Sequence, residues 1–432
     1  MGALKAGFAK ALINPPLDGS VALAGYGMQP ERTAQAVLDD LCVRVLALDD
    51  GYRKAVLVSV DTILISASLA LNIRKRIEKE AGLPAGAILI SATHTHSAPA
   101  TDFLRHWGAL SPAYNLQIER ATGDAIQAAL RDLQPAAIGI GEAQVEGLAF
   151  NRVRQAGPVD HTLRILGIRS AESKQLRIAA GNFACHPVHM PTDSRFVSAD
   201  FPGRFVRDLE RDRPGCQALF LQGAPGDINP TGVFGGVDAA QNTGRALAES
   251  ARSVLEGLPF SSDGEISFHQ AECDLPLDWA TARKEASDYL FKGLVRETHR
   301  GIAQGGLMRE WAVETLGLAA ANPPETLRCE VHALRCGDAA FVGLPGEMYT
   351  FIAQKIRTAS HFKHTWVLGY ANGSVGYVTD PGDYDEKAEL SQGAGGGSYA
   401  ATLAPKIFGL PQFKPHTWEA VVDAATRALK AL

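Results

Sequence analysis

The chain has 432 residues, a net charge of −5, 46% hydrophobic residues and 21% charged residues. This is the composition of an ordinary soluble protein with a sizeable core, and the length allows about two or three domains or one large one. No Lys/Arg block gives a nucleic-acid footprint, and no run of about 18 apolar residues would cross a membrane. The N-terminus, Met1-Gly-Ala-Leu-Lys-Ala-Gly-Phe8, lacks the apolar core of a signal peptide. The six cysteines, at 42, 185, 216, 273, 329 and 336, include no Cys-x-x-Cys. They read as mostly free thiols, so a cytoplasmic location is the expectation.

Taken in order, residues 6–13 alternate and stop at Asn14-Pro-Pro16, as a strand does. Gly25-Tyr-Gly27 marks a turn with close backbone approach. Residues 41–48 and 54–60 read as strands joined by the hairpin signal Asp49-Asp-Gly51, with the polar pair Asp61-Thr62 closing the second. Residues 69–81 carry an amphipathic helix stopped by Gly82. The apolar run 87–90 then delivers Ser91-Ala-Thr-His-Thr-His-Ser-Ala-Pro99. Residues two apart on a strand share a face, so His94 and His96 can look into one cleft. Imidazole is the commonest protein metal ligand, but the motif alone fits a pair of hydrogen-bonded loop histidines as well.

Beyond it, residues 113–133 read as a long helix, 137–145 as a strand, and Asn151-Arg152 as part of the following loop. Residues 160–170 and 176–185 look like paired strands, the second delivering His186 in Cys185-His-Pro-Val-His189. His189 reads as a surface residue. A helix over 201–210 and a strand over 218–222 lead into Gly223-Ala-Pro-Gly-Asp-Ile-Asn-Pro230, where two glycines and two prolines demand a tight loop around Asp227 and Asn229. Helices are expected over 238–256, 280–300, 308–318, 348–358 and 418–432. Strands are expected over 327–335 and 339–344, the latter meeting Pro345-Gly-Glu347. Residues 366–368 lead into Gly369-Tyr-Ala-Asn-Gly-Ser-Val-Gly-Tyr377, and the Gly-rich tract 392–398 reads as a binding loop or lid. Alternating strands and helices make the class α/β, with mixed sheets flanked by helices in one large catalytic domain over residues 1–432.

The recurring pattern is an apolar strand that ends in a polar cluster bounded by Gly or Pro: His94/His96, His186/His189, Asp227/Asn229 and Glu347. A sheet that delivers such residues at its strand ends builds a site along one edge. Two histidines, a carboxylate and one more ligand are a catalytic zinc inventory, in which the metal lowers the pKa of its water to about 7.

With those clusters in order, the chain resembles the neutral, non-lysosomal ceramidase family. The resemblance is carried by residues 8–16 with Gly25-Tyr-Gly27, Ser91-Ala-Thr-His-Thr-His-Ser97, Asn151-Arg152, Asn182-Phe-Ala-Cys-His-Pro187, Gly226-Asp-Ile-Asn-Pro230, Pro345-Gly-Glu347 and Gly376-Tyr-Val-Thr379. It implies zinc held by His94, His186, Glu347 and Tyr377. It places His96 and Arg152 beside the scissile carbonyl and its developing oxyanion, with Asp227 shaping the loop and holding a histidine in one tautomer. Three departures accompany it. Asn229 stands where the family has a serine. The stretch Ala394-Gly-Gly-Gly397 stands where the family has Tyr-Glu-Gly, so its substrate-holding tyrosine is missing. The chain stops soon after Pro415, so no C-terminal immunoglobulin-like domain is expected. The resemblance therefore implies a zinc-dependent hydrolase of an amide (N-acyl) bond by zinc-activated water, acting on a small-molecule or lipid-like substrate other than classical ceramide. Hydrolysis of an ester, lactone or glycosidic bond on the same scaffold, or a non-catalytic zinc-binding protein, are the alternatives. Oligomeric state is left open.

Overall fold

The computed structural model describes residues 3–27, 32–294, 306–385 and 399–432. Eight strands make one mixed sheet: β1 (Lys5–Leu12), β2 (Cys42–Asp49), β3 (Lys54–Val60), β4 (Ile88–Ala92), β5 (Gln134–Gln144), β6 (Thr162–Ser170), β7 (Leu176–Phe183) and β8 (Gln217–Gln222). Their spatial order is β8-β7-β6-β5-β1-β2-β3-β4. The inner pairs are antiparallel, while β4 on β3 and β8 on β7 are parallel. The sheet curls: Ser59 Oγ of β3 donates to the Phe220 carbonyl of β8 at 2.6 Å. The two ends that carry the histidine loops are thereby brought face to face.

Sequence explains the burial. β2 reads Cys-Val-Arg-Val-Leu-Ala-Leu-Asp and is buried throughout. Its one internal charge, Arg44, is accommodated by Asp61 at 2.8 Å. Helix α1 (Ala67–Ala81) begins where Ser66 Oγ accepts from the Leu69 amide and ends at Gly82, whose φ of 65° a side chain would resist. It packs beside α2 (Pro112–Arg131), while α3 (Asp200–Asp212) and α4 (Gly236–Gly257) pair on the other half of the sheet.

A second sheet, in the order β9-β10-β11-β12, comprises β9 (Ile266–Pro276), β10 (Thr326–Cys336), β11 (Ala339–Gly343) and β12 (His364–Leu368). Phe341 and Trp366 of this sheet join Val58 and Leu89 of the first in one apolar core. Helices that follow the first sheet include α5 (Trp279–Lys292), α6 (Leu307–Ala320), α7 (Thr350–Ala359) and α8 (Thr417–Lys430), and α8 lies across β9 and β10.

The α/β class with mixed, helix-flanked sheets is as expected from the sequence. The strand β9 is not: its apolar residues change phase between Phe268 and Ala271, which hides the alternation. The helix expected over 280–300 stops at Lys292, where Gly293 turns left-handed at φ 65°; residues 295–300 and the Gly-rich tract 392–398 lie outside the described residues.

Candidate metal centre and active site

His94 and His96 do not ride on a strand. β4 ends at Ala92, and His94 adopts φ +68°. The loop is held instead by backbone bonds from Thr93 to Val60 and from His94 to Thr62, each 2.9 Å, so the Asp61-Thr62 corner of β3 sets its path. The two rings still meet edge to face, their centroids 4.8 Å apart. His186, after β7, lies 4.9 Å from His94 between centroids. The ligating nitrogens of His94, His96 and His186 fall within 4.8 Å of one another, a group that could hold a metal ion.

Glu347 enters from the other sheet. After β11, Pro345-Gly346 turns the chain so that Glu347–Met348 pairs in parallel with Tyr377–Val378, Glu347 opposite Tyr377. The Glu347 Oε2 atom stands 3.4 Å from His94 Nε2 and 3.2 Å from His186 Nε2. A tetrahedral ion with bonds of about 2.0–2.1 Å sets its ligand atoms roughly 3.3 Å apart, so this spacing would admit one as well as a direct hydrogen bond.

The proton inventory makes the same case. His94 Nδ1 meets the Ile63 carbonyl at 2.7 Å, and His186 Nδ1 meets the Pro225 carbonyl at 2.7 Å. A carbonyl only accepts, so each Nδ1 carries a hydrogen, and in the neutral ring Nε2 is then the nitrogen with the lone pair. Burial pushes the His186 pKa down to about 4, so this imidazole is neutral at pH 7. Burial would raise Glu347, but the adjacent His94 and His186 hold its carboxyl well below the usual range. Two imidazoles and a carboxylate converging in a buried site are a donor set that a cation would satisfy. The residues present fit a metal.

His96 differs from its two neighbours. Its Nε2 lies 3.1 Å from His94 Nε2, but its buried Nδ1 has no hydrogen-bond partner among the described residues, so no carbonyl fixes its tautomer. It is also partly open to the cleft, whereas His94 and His186 are buried. Burial of the rest of its ring lowers its pKa well below the usual value, helped by His94 and His186. The wall behind it is Gly25, with φ +101°, where a Cβ would stand 2.6 Å from the His96 ring.

Arg152 crosses the floor of the site. Its guanidinium donates to the Tyr377 hydroxyl at 3.0 Å, the Gly226 carbonyl at 2.8 Å and Asn229 Oδ1 at 3.4 Å. Burial works against its charge, but Tyr377 and Glu347 outweigh it and raise its pKa further, keeping it cationic. Tyr377 is buried, and burial followed by Glu347 raises its phenol well above the usual value, with Arg152 opposing.

Asp227 stands behind this floor. It accepts from the Thr350 amide and hydroxyl, both at 2.8 Å, and from Asn151 Nδ2 at 2.8 Å. It ties the loop to Thr350 and Asn151, and no hydrogen bond joins it to a histidine among the described residues: backbone carbonyls meet Nδ1 of His94 and His186 instead. His189 is not at the surface. It is fully buried, bonded through Nδ1 to Asp200 at 2.7 Å and through Nε2 to Thr243 at 3.0 Å, and ties its loop to α3 and α4.

Two tyrosines escaped the sequence reading. Tyr370 stacks on His94 with centroids 3.9 Å apart and planes 13° apart, and its hydroxyl donates to Glu347 Oε2 at 3.3 Å. Its signal lay in Gly369-Tyr-Ala-Asn372, whose turn looked like mere linkage to Tyr377. Tyr399 lies 6.0 Å from Tyr377 and 5.8 Å from Trp107 between ring centroids. A tyrosine therefore does stand beside the site, supplied just after the Gly-rich tract. Aromatic rings also continue outward from His96 through Tyr26, 5.1 Å away, to the partly exposed Phe234, a further 5.8 Å on.

Only with this geometry in view do the relatives become informative. Residues 6–231, just over half of the chain, match the sequence pattern of the neutral/alkaline non-lysosomal ceramidase N-terminal region. The chain belongs to that family, a class of hydrolases acting on amide bonds. The fold is similar to that of neutral ceramidase from Pseudomonas aeruginosa, with a TM-score of 0.75 and 19% identity over 100% of this chain and 75% of that one. It is also similar to a structure described as ceramidase complexed with C2, with a TM-score of 0.73 and 18% identity over 100% of this chain and 76% of the other. Among the described residues, no helix is long and apolar enough to cross a membrane.

Proposed function

We propose that this chain is a zinc-dependent hydrolase of an N-acyl amide bond, with His94, His186, Glu347 and Tyr377 holding the ion and His96, Arg152 and Asn229 facing the substrate. The observation that carries the reading is the convergence of the His94 and His186 Nε2 atoms on the Glu347 carboxylate at 3.4 and 3.2 Å. When bound, the ion supplies a water of lowered pKa and polarises the substrate carbonyl. The chain's own groups do the rest. Arg152 brings a fixed positive charge to the floor, where negative charge on the carbonyl oxygen is best stabilised. His96, whose Nδ1 no carbonyl among the described residues holds, would exchange a proton with the substrate. Asn229, buried and bonded to Arg152, orients a polar group of the substrate and offers no nucleophilic oxygen.

The rings of Tyr26, Phe234, Trp107 and Tyr399 support an acyl chain or similar apolar arm on the substrate. Asn229 in the place of a serine supports a substrate other than plain ceramide. The test is metal analysis of the purified chain, with turnover of N-acyl sphingoid, N-acyl amino acid, ester, lactone and glycoside substrates before and after chelation, and in His94→Ala. N-acyl turnover that chelator abolishes and zinc restores is expected. Turnover indifferent to both chelator and His94→Ala would overturn the metal reading. Preference for an ester, lactone or glycoside would replace the bond, and bound zinc without turnover of any substrate would favour a binding protein.

A further inference from the structure

The second sheet holds a feature that the hydrolytic site does not use. Cys273 on β9 and Cys329 on β10 are direct register partners in an antiparallel pair. Antiparallel partners have Cα atoms about 4.5–5.5 Å apart, inside the window of about 4.4–6.8 Å that a disulfide spans. Both side chains share the sheet face that α8 covers. The alternation along β9 buries Ala271, Cys273 and Leu275 and exposes Glu272 and Asp274, while Cys329 packs against the same apolar cluster. As register partners on one face, the two thiols stand side by side across the ladder. Cys273 is almost fully buried, and Cys329 is partly exposed, which gives a small oxidant a way in.

We infer that Cys273 and Cys329 form an oxidisable dithiol, a modification site that hydrogen peroxide converts to a cross-strand disulfide. The neighbouring Cys329 thiol holds the Cys273 pKa below the ordinary thiol value, while that of Cys329 lies above it, and the register keeps the second sulfur within reach of the first. The Cys273 sulfur attacks one peroxide oxygen. An S–O bond forms, the O–O bond breaks, and the leaving oxygen takes up a proton as water. The Cys329 sulfur then attacks the Cys273 sulfenic acid; the S–S bond forms, the S–O bond breaks, and a second water leaves. The two sulfurs give up two electrons and the peroxide is reduced by two. The other four cysteines, 42, 185, 216 and 336, are buried.

The test treats the full-length chain with hydrogen peroxide and reads intact mass and linked peptides. The expected result is loss of two hydrogens and one covalent pair joining the Cys273 and Cys329 peptides, reversed by dithiothreitol. In Cys329→Ser, the link disappears and a sulfenic acid is trapped on Cys273 by dimedone. Cys329→Ala, at the more exposed of the two positions, repeats the measurement should the serine variant misfold, and the wild-type mass needs no variant at all. The inference is overturned if all six thiols survive peroxide, if Cys329 over-oxidises without linking, or if the disulfide joins two chains.

Discussion

The phenol of Tyr370 lies flat on the imidazole of His94, 3.9 Å away, and its hydroxyl reaches Glu347 at 3.3 Å. One side chain thus orients two candidate ligands delivered by different sheets. Both Tyr370 and His94 hold left-handed backbone, at φ +52° and +68°, a conformation that costs on the order of 1 kcal/mol or more for a residue with a side chain. The surrounding bonds pin it: the Ala92 amide donates to the Tyr370 carbonyl at 3.2 Å, and the Asn372 side chain accepts from Ile90 at 2.9 Å.

Tyr370→Phe keeps the stacking and removes the bond to Glu347. Loss of such an outer partner weakens metal binding by about 10–100-fold. Competition for zinc against a chromophoric chelator measures it. Unchanged affinity would mean that the hydroxyl does not orient Glu347.

Gly25→Ala places a methyl 2.6 Å from the His96 ring at a φ of +101°. The ring must move, and misplacement by about 1 Å costs roughly 10²-fold in rate. We expect kcat/KM to fall by about that factor with zinc content unchanged, because His94 and His186 are anchored elsewhere. A variant as active as wild type would remove His96 from the reaction.

Arg152→Lys keeps one charge but loses the fork that reaches Tyr377, Gly226 and Asn229 together. Removing a group of this kind costs about 10²–10³ in kcat. A fall in substrate affinity alone, with kcat retained, would make Arg152 a binding residue and leave oxyanion stabilisation to other groups.

Asp160 joins β6 to α7 through Arg164 and Arg357, each at 2.9 Å. Burial pushes its pKa up, but the two guanidiniums outweigh it and hold it below the ordinary 3.8. A depressed carboxyl contributes stability above its unfolded-state pKa and loses it as pH falls through the folded value. Asp160→Asn should therefore destabilise the protein by about 3 kcal/mol at pH 7, by stranding buried charge. The gap to wild type should narrow below about pH 4, where the carboxyl takes up its proton. Urea unfolding at pH 7 and pH 3.5 checks this; an equal gap at both would refute it.

Much was legible in the sequence for a physical reason. Strand alternation, the helix stop at Gly82 and the hairpin at Asp49-Asp-Gly51 are local, and local rules reach them. The clusters His94/His96, His186, Asp227/Asn229 and Glu347 stand out because short polar runs interrupt apolar strands. The tertiary structure decided how these runs meet. Curling of the first sheet sets the loops after β4 and β7 face to face, and packing of the second sheet against it supplies Glu347, Tyr370 and Tyr377. His189 looked like a surface residue because Asp200 and Thr243, which bury and satisfy it, come from helices 11 and 54 residues away. Histidine tautomers were equally beyond reach, since the carbonyls of Ile63 and Pro225 that set them become neighbours only after folding. Side-chain chemistry is written residue by residue, but the lone pairs converge on one point only when strands distant in sequence share a core.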